Sequence, residues 1–357
     1  MGTTQTSERT TLPNQSTLSN KIKTKTYQSI YTKSLMYPVT CYYPKLYDTL
    51  VHHNADKTIT YQLDQIEKTK WLYYKLKTSP NYDTQVVNSS DDSVLNLCHS
   101  SKYLNSLKTG KPQPLAETSG LIWQKNLYPA HVNSVWSSIK SSISALNKNI
   151  SMTLTSGGHH AVADRGYGFN PINTIALTTK YLLTNKIINN IAILDLDVHL
   201  GNGTIELLQH TSNIHIFDIY RYTKPEWITR LPSTLPDNIR VYQTDSTNQY
   251  FKQLESYLAQ IKKLNPGLVI YHHGVDVYKN DRYGGILKFS EEKIHLRERL
   301  LLKSLYRHVP IMIILGGGYV KYDNPSLTTS RKNTLHRLHT IFFEELEKQT
   351  NELSSTF

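Results

Sequence analysis

The chain has 357 residues, a formal net charge of +12 and only two cysteines, Cys41 and Cys98. That length suits a single large α/β domain, and so few cysteines exclude a disulfide framework and a thiolate zinc site. No apolar run reaches the roughly eighteen residues a membrane span needs, and no charged segment with an apolar core opens the chain, so a cytoplasmic or nuclear protein is expected. The lysines are spread along the sequence, which suits acidic partner surfaces and points to no dedicated nucleic-acid site.

Residues 1–35 are rich in Thr, Ser, Gln, Asn and Lys with little apolar periodicity, and read as a mobile tail. A single folded domain is expected over 36–346. His131, Val135, Ile139 and Ile143 mark one helix face before a strand at 151–155. Phe251, Leu254, Leu258 and Ile261 repeat the pattern before a strand at 268–271, and Ile294, Leu301 and Leu305 repeat it before one at 311–315. Leu335, Leu338, Phe342 and Leu346 indicate a closing helix, with residues 347–357 fraying. Strands alternating with helices of this length imply a parallel sheet covered on both faces.

Residues 191–204, IAILDLDVHLGNGT, carry the strongest chemical signal. In a strand, alternate side chains share a face, so Asp195, Asp197 and His199 converge while Ala192, Leu194, Leu196 and Val198 read as core. The pattern fits the start of a metal site, since zinc accepts imidazole nitrogen and carboxylate oxygen; it also fits a solvated acidic patch at a strand end. Three more strand exits carry motifs: Gly157-Gly158-His159-His160 with Gly168-Phe169, Asp276 after the 268–271 strand, and Gly316-Gly317-Gly318-Tyr319. Ligands in parallel sheets collect outside the carboxyl ends of the strands, and four such exits in one chain argue for a shared site.

On these motifs, the chain resembles the zinc-dependent histone deacetylases of the arginase–deacetylase superfamily over residues 79–319. Asp164-Arg165-Gly166, Asp218-Ile219-Tyr220 and Asp281-Arg282-Tyr283-Gly284-Gly285 make it most similar to the class IV branch and to bacterial deacetylase-like proteins. The resemblance implies an α/β fold with a parallel sheet flanked by helices on both faces, and one Zn²⁺ held by Asp197, His199 and Asp276. It implies that His160 is the general base and later acid, that His159 assists electrostatically with Asp195 behind it, and that Asn202 orients His160. Tyr319 would donate to the oxyanion. Gly168 and Phe169 would line the channel for the acylated amine's stem, with Tyr283 across it gripping the stem between two aromatic faces. A K⁺ site near Asp195 and Asp218 is implied as well.

Three departures from the family pattern stand out: Leu200 in place of a frequent His, Asn170 in place of a frequent Cys, and Pro171 in place of an aromatic. They bear on substrate choice, not on the reaction class. The expected activity is removal of an acyl group, acetyl first, from a protein N-acyl-lysine, histones included. The rivals are deacetylation of a small amine such as an acetylpolyamine, long-chain lysine deacylation, an arginase-like ureohydrolase, and a silent chromatin-binding module. Asn170, a poor liner for an apolar tunnel, favours acetyl over long acyl groups.

Overall fold

A computed structural model of the chain describes residues 39–50, 52–53, 60–61, 64–321 and 325–354. The expected N-terminal tail lies outside the described residues. Eight strands form one sheet: β1 Val39–Pro44, β2 Tyr82–Val87, β3 Ile150–Ser156, β4 Ile191–Asp195, β5 Ile214–Tyr220, β6 Ile239–Gln243, β7 Leu268–His273 and β8 Ile311–Leu315. Their spatial order is β2-β1-β3-β8-β7-β4-β5-β6, and every pairing is parallel. Among the described residues, nine α-helices accompany them: α1 Asp64–Lys77, α2 Ser101–Thr109, α3 Gln113–Ala116, α4 Leu127–Lys148, α5 Thr174–Thr184, α6 Asn202–Leu208, α7 Thr247–Leu264, α8 Glu291–Leu305 and α9 Pro325–Ser354.

The period-2 alternation of the strands explains the layering. Ile191 and Ile193 pack with α4 and α5, while Ala192 and Leu194 pack with α7, α8 and α9. A strand buried on both faces reads as a continuous apolar run, as β4, β7 and β8 do. The periodicity therefore located α4, α7, α8 and their following strands well. The closing helix runs on to Ser354, beyond the fraying expected from residue 347. Its late polar residues are tied down: Glu347 accepts from Tyr82 Oη at 2.8 Å, and Glu345 pairs with Arg299 at 3.0 Å.

The central strands β3, β8, β7 and β4 are neighbours. Their carboxyl-end loops, 157–170, 316–319, 274–285 and 196–202, therefore meet at one edge of the sheet, where the chain order switches direction.

Candidate active site

The strand β4 ends at Asp195, so Asp197 and His199 sit in the bend beyond it and not on the strand face that alternation suggested. The bend is built from carboxylate-to-backbone bonds. Asp195 Oδ1 accepts Asp197 N at 3.1 Å, Asp197 Oδ1 accepts His199 N at 3.0 Å, and Asp276 Oδ1 accepts Val198 N at 2.9 Å. Gly317 N donates to Asp197 Oδ2 at 2.6 Å, and a Cβ on Gly317 would fall 2.1 Å from Asp276 Oδ2. Only glycine fits there. Leu196 and Val198 still point into the core.

Backbone N–H groups thus orient both carboxylates, engaging both oxygens of Asp197 and the Oδ1 of Asp276, while Asp197 Oδ1 and Asp276 Oδ2 face His199. His199 Nδ1 lies 3.1 Å from Asp197 Oδ1 and 3.2 Å from Asp276 Oδ2, and its Nε2 donates to the Tyr283 carbonyl at 3.2 Å. With the Nε2 proton committed there, Nδ1 and two carboxylate oxygens converge on one point that calls for positive charge. Burial opposes charge on His199, but Asp197 and Asp276 outweigh it and hold its pKa well above the ordinary value. Burial and the Asp197 charge push Asp276 up to about 6. Donors bound at about 2.0–2.1 Å around a tetrahedral Zn²⁺ stand roughly 3.3 Å apart, close to the observed separations. Asp197, His199 and Asp276 fit a zinc ion.

An arginine far along the sequence fixes this geometry. Buried Arg297 of α8 donates through Nη1 to Gly274 O at 2.6 Å and to Leu196 O at 3.4 Å, so it ties together the loops carrying Asp276 and Asp197. Its charge is met by buried Glu298 at 2.7 Å, which also accepts from Tyr271 Oη at 3.0 Å.

The two histidines follow β3. His159 Nδ1 donates to Asp195 Oδ2 at 2.9 Å, and His160 Nδ1 donates to Asn202 Oδ1 at 2.7 Å. Asn202 cannot turn over, because its Nδ2 is spent on the Trp227 carbonyl at 3.0 Å. The Nε2 atoms of the pair lie 3.1 Å apart, a hydrogen bond that needs a proton on one of them. Burial first, then the charges of His159 and His199, push the His160 pKa well below its ordinary value. Burial would raise Asp195, but the facing His272 and His159 prevail and lower it.

A cavity of about 470 Å³ opens above these groups. Gly168 and Phe169 line it in the left-handed region, φ 52° and 64°, and a Cβ on Gly168 would meet His160 Cδ2 at 2.4 Å. Tyr283 and Tyr319 line it too. Phe169 and Tyr283 do not stand face to face. Phe169 and Tyr283 have ring centroids 6.0 Å apart at 49°, whereas a methylene stem between two faces needs about 7–8 Å. The half-exposed Tyr283 leans on Tyr319 edge-on at 5.0 Å instead. Buried Asp281 holds both tyrosine backbones, accepting from Tyr319 N at 2.6 Å and Tyr283 N at 2.9 Å. Asn170 spends its Oδ1 on His160 N at 3.2 Å.

Several lining residues were not singled out in the sequence. Trp227 packs 4.2 Å from the His160 ring, on a loop clamped by the bidentate pair Arg230–Asp164, both bonds 2.8 Å. No local pattern announces it. His272 was visible in Tyr271-His272-His273 as a polar end to an apolar strand; it lines the cavity and donates from Nδ1 to Asp195 Oδ1 at 2.9 Å.

A family model described as the histone deacetylase domain matches residues 52–335. The chain belongs to the histone deacetylase family. This family member is 28% identical over 245 residues to histone deacetylase 2 of Arabidopsis thaliana, covering 66% of the chain and 63% of that relative. It is 30% identical over 253 residues to an uncharacterized protein of Picosynechococcus, covering 69% and 81%. The polyamine deacetylase of Danio rerio is 23% identical over 279 residues, 71% of the chain and 40% of the relative. A crystal structure of acetylpolyamine aminohydrolase from Burkholderia pseudomallei superposes with a TM-score of 0.66 at 15% identity, covering 86% and 98%. The fold is that of the arginase–deacetylase superfamily. No helix among the described residues is long and apolar enough to cross a membrane.

Proposed function

We propose that this histone deacetylase family member is a zinc-dependent amidohydrolase that removes acetyl groups from lysine side chains of proteins. The observation that carries the reading is the convergence of Asp197, His199 and Asp276 with the oriented pair His159–His160 at the base of one cavity. A zinc ion on the three ligands supplies carbonyl polarisation and water acidification. His160, held by Asn202, takes the proton from water and delivers it to the departing amine, while His159, backed by Asp195, stabilises the charge. Tyr319 donates to the oxyanion. Gly168 and Phe169 flank the amine's stem, with Tyr283 at the mouth. A monovalent cation such as K⁺ beside Asp195 and Asp218 fits the buried Asp218 Oδ1, which has no hydrogen-bond partner.

Charge at the rim favours a protein lysine over a polyamine. Apart from the histidines and Asp197, Lys224 is the charged lining residue, with Nζ 5.1 Å from the Trp227 ring centroid. A polyamine's distal ammonium would meet that cation and no lining carboxylate free of the metal site. Purified protein, loaded with zinc and checked by elemental analysis, should bind close to one ion per chain. It should hydrolyse an acetyl-lysine peptide faster than N-acetylputrescine and faster than the matching myristoyl peptide. Full activity in metal-free protein, or a myristoyl preference above about tenfold, would overturn the reading.

A further inference from the structure

Beside the histidine pair the cavity is lined by a buried polar group. His272, the last residue but one of β7, stands directly opposite Asp195 in the parallel register and is 1% exposed. Its Nδ1 is held by Asp195, whereas its buried Nε2 has no hydrogen-bond partner. The ring lines the same cavity as His159, His160 and Tyr319, and stands 4.6 Å from the His159 ring. The stem enters beside exposed Tyr283, and the reacting carbonyl belongs at the metal and histidine groups. What lies beyond, at His272, faces the acyl end.

We propose that His272 selects the acyl group: acetyl, or a short acyl group carrying a hydroxyl next to the carbonyl, over an aliphatic acyl group of the same shape. This rests on the deacylase reading above. An imidazole nitrogen sealed under an alkyl group loses its water and gains nothing in return, an arrangement that proteins avoid. Acetyl is small enough to leave room for a bridging water. A hydroxyl replaces that water, and because it both donates and accepts, it satisfies Nε2 whether or not the nitrogen carries a proton. Hydrolysis itself is unchanged: the water oxygen joins the acyl carbon, the C–N bond breaks, and the amine leaves with the proton.

The test uses two lysine peptides that differ in one group, 2-hydroxypropionyl and 2-methylpropionyl, with the acetyl peptide as reference. The zinc-loaded wild-type enzyme should favour the hydroxyacyl over its methyl isostere about fivefold to a hundredfold in kcat/KM. His272→Leu should abolish or invert that ratio. His272→Asn, which keeps a donor for Asp195, should retain a preference. A wild-type ratio within twofold of unity, with acetyl hydrolysed, would sink the selector role and leave the deacetylase reading intact. Loss of all three activities in a folded, zinc-loaded wild type would sink the deacetylase reading itself. Two zinc ions per chain in wild type, falling to one in His272→Leu, would overturn the proposal by making His272 a metal ligand.

Discussion

Replacing Asn202 with Asp tests the assignment of the base at a single atom. In the structure a neutral amide oxygen stands 2.7 Å from His160 Nδ1 in a fully buried setting. Asn202→Asp keeps the shape and adds a negative charge. With charge centres about 4 Å apart and an effective dielectric of about 20, the attraction is about 4 kcal/mol, or nearly 3 pKa units. Two effects reduce it: the new carboxylate is itself desolvated, and its second oxygen faces the Trp227 carbonyl that formerly accepted from the amide. The expected net rise in the His160 pKa is about 1–3 units. A base with a raised pKa stays protonated to higher pH, so the acid limb of the kcat/KM profile moves upward by that amount. The assay is acetyl-lysine peptide hydrolysis across pH, with metal content and circular dichroism measured on the same samples. An acid limb that stays put in a folded, zinc-loaded variant would refute His160 as the base.

Other perturbations probe the neighbouring groups. Tyr319→Phe should keep fold and zinc yet lower kcat about 10²–10³-fold; an unchanged rate would give the oxyanion to another donor. Arg297→Met takes the arginine counter-charge from buried Glu298, leaving it Tyr271 Oη and His273, at a cost of up to about 3–5 kcal/mol by urea unfolding, and should weaken zinc affinity because both ligand loops lose their tie. Pairing it with Glu298→Gln should recover stability but not affinity, and recovery of both would refute the tie. Burial lowers His99 and His131 from the ordinary 6.5 to about 4. A depressed folded-state pKa means that the unfolded chain takes up more protons between those values. Stability should therefore be full above pH 6.5 and fall as pH drops toward 4, by on the order of 3 kcal/mol for each histidine. A flat urea-unfolding free energy across that window would contradict it.

Much of this was legible because the chemistry sits where local pattern is strongest. Parallel strands buried on both faces announce themselves as apolar runs, and polar residues at their ends stand out, as Asp195, Asp197 and Asp276 do. What stayed hidden depends on contacts between distant segments. Arg297 reaches Leu196 across 101 residues, and Asp281 reaches Tyr319 across 38. Trp227 sits in a loop with no period of its own. His272 was in plain sight, but its importance comes from the β4–β7 register, which composition does not reveal. The direction in which Tyr283 leans is decided by Tyr319 and Asp281, not by its place in the chain.

The Asp195 carboxylate serves two masters. One oxygen holds His159 beside the reacting groups and the other holds His272, another residue of the cavity lining. A change at either imidazole alters the charge that the shared carboxylate offers to the other. Substitutions at 159 and 272 should therefore be epistatic, each one's effect depending on which residue occupies the other position. A lineage that shifted its acyl preference through residue 272 would register a change in turnover at the same step, and directed evolution for a new acyl group would have to vary 159, 195 and 272 together.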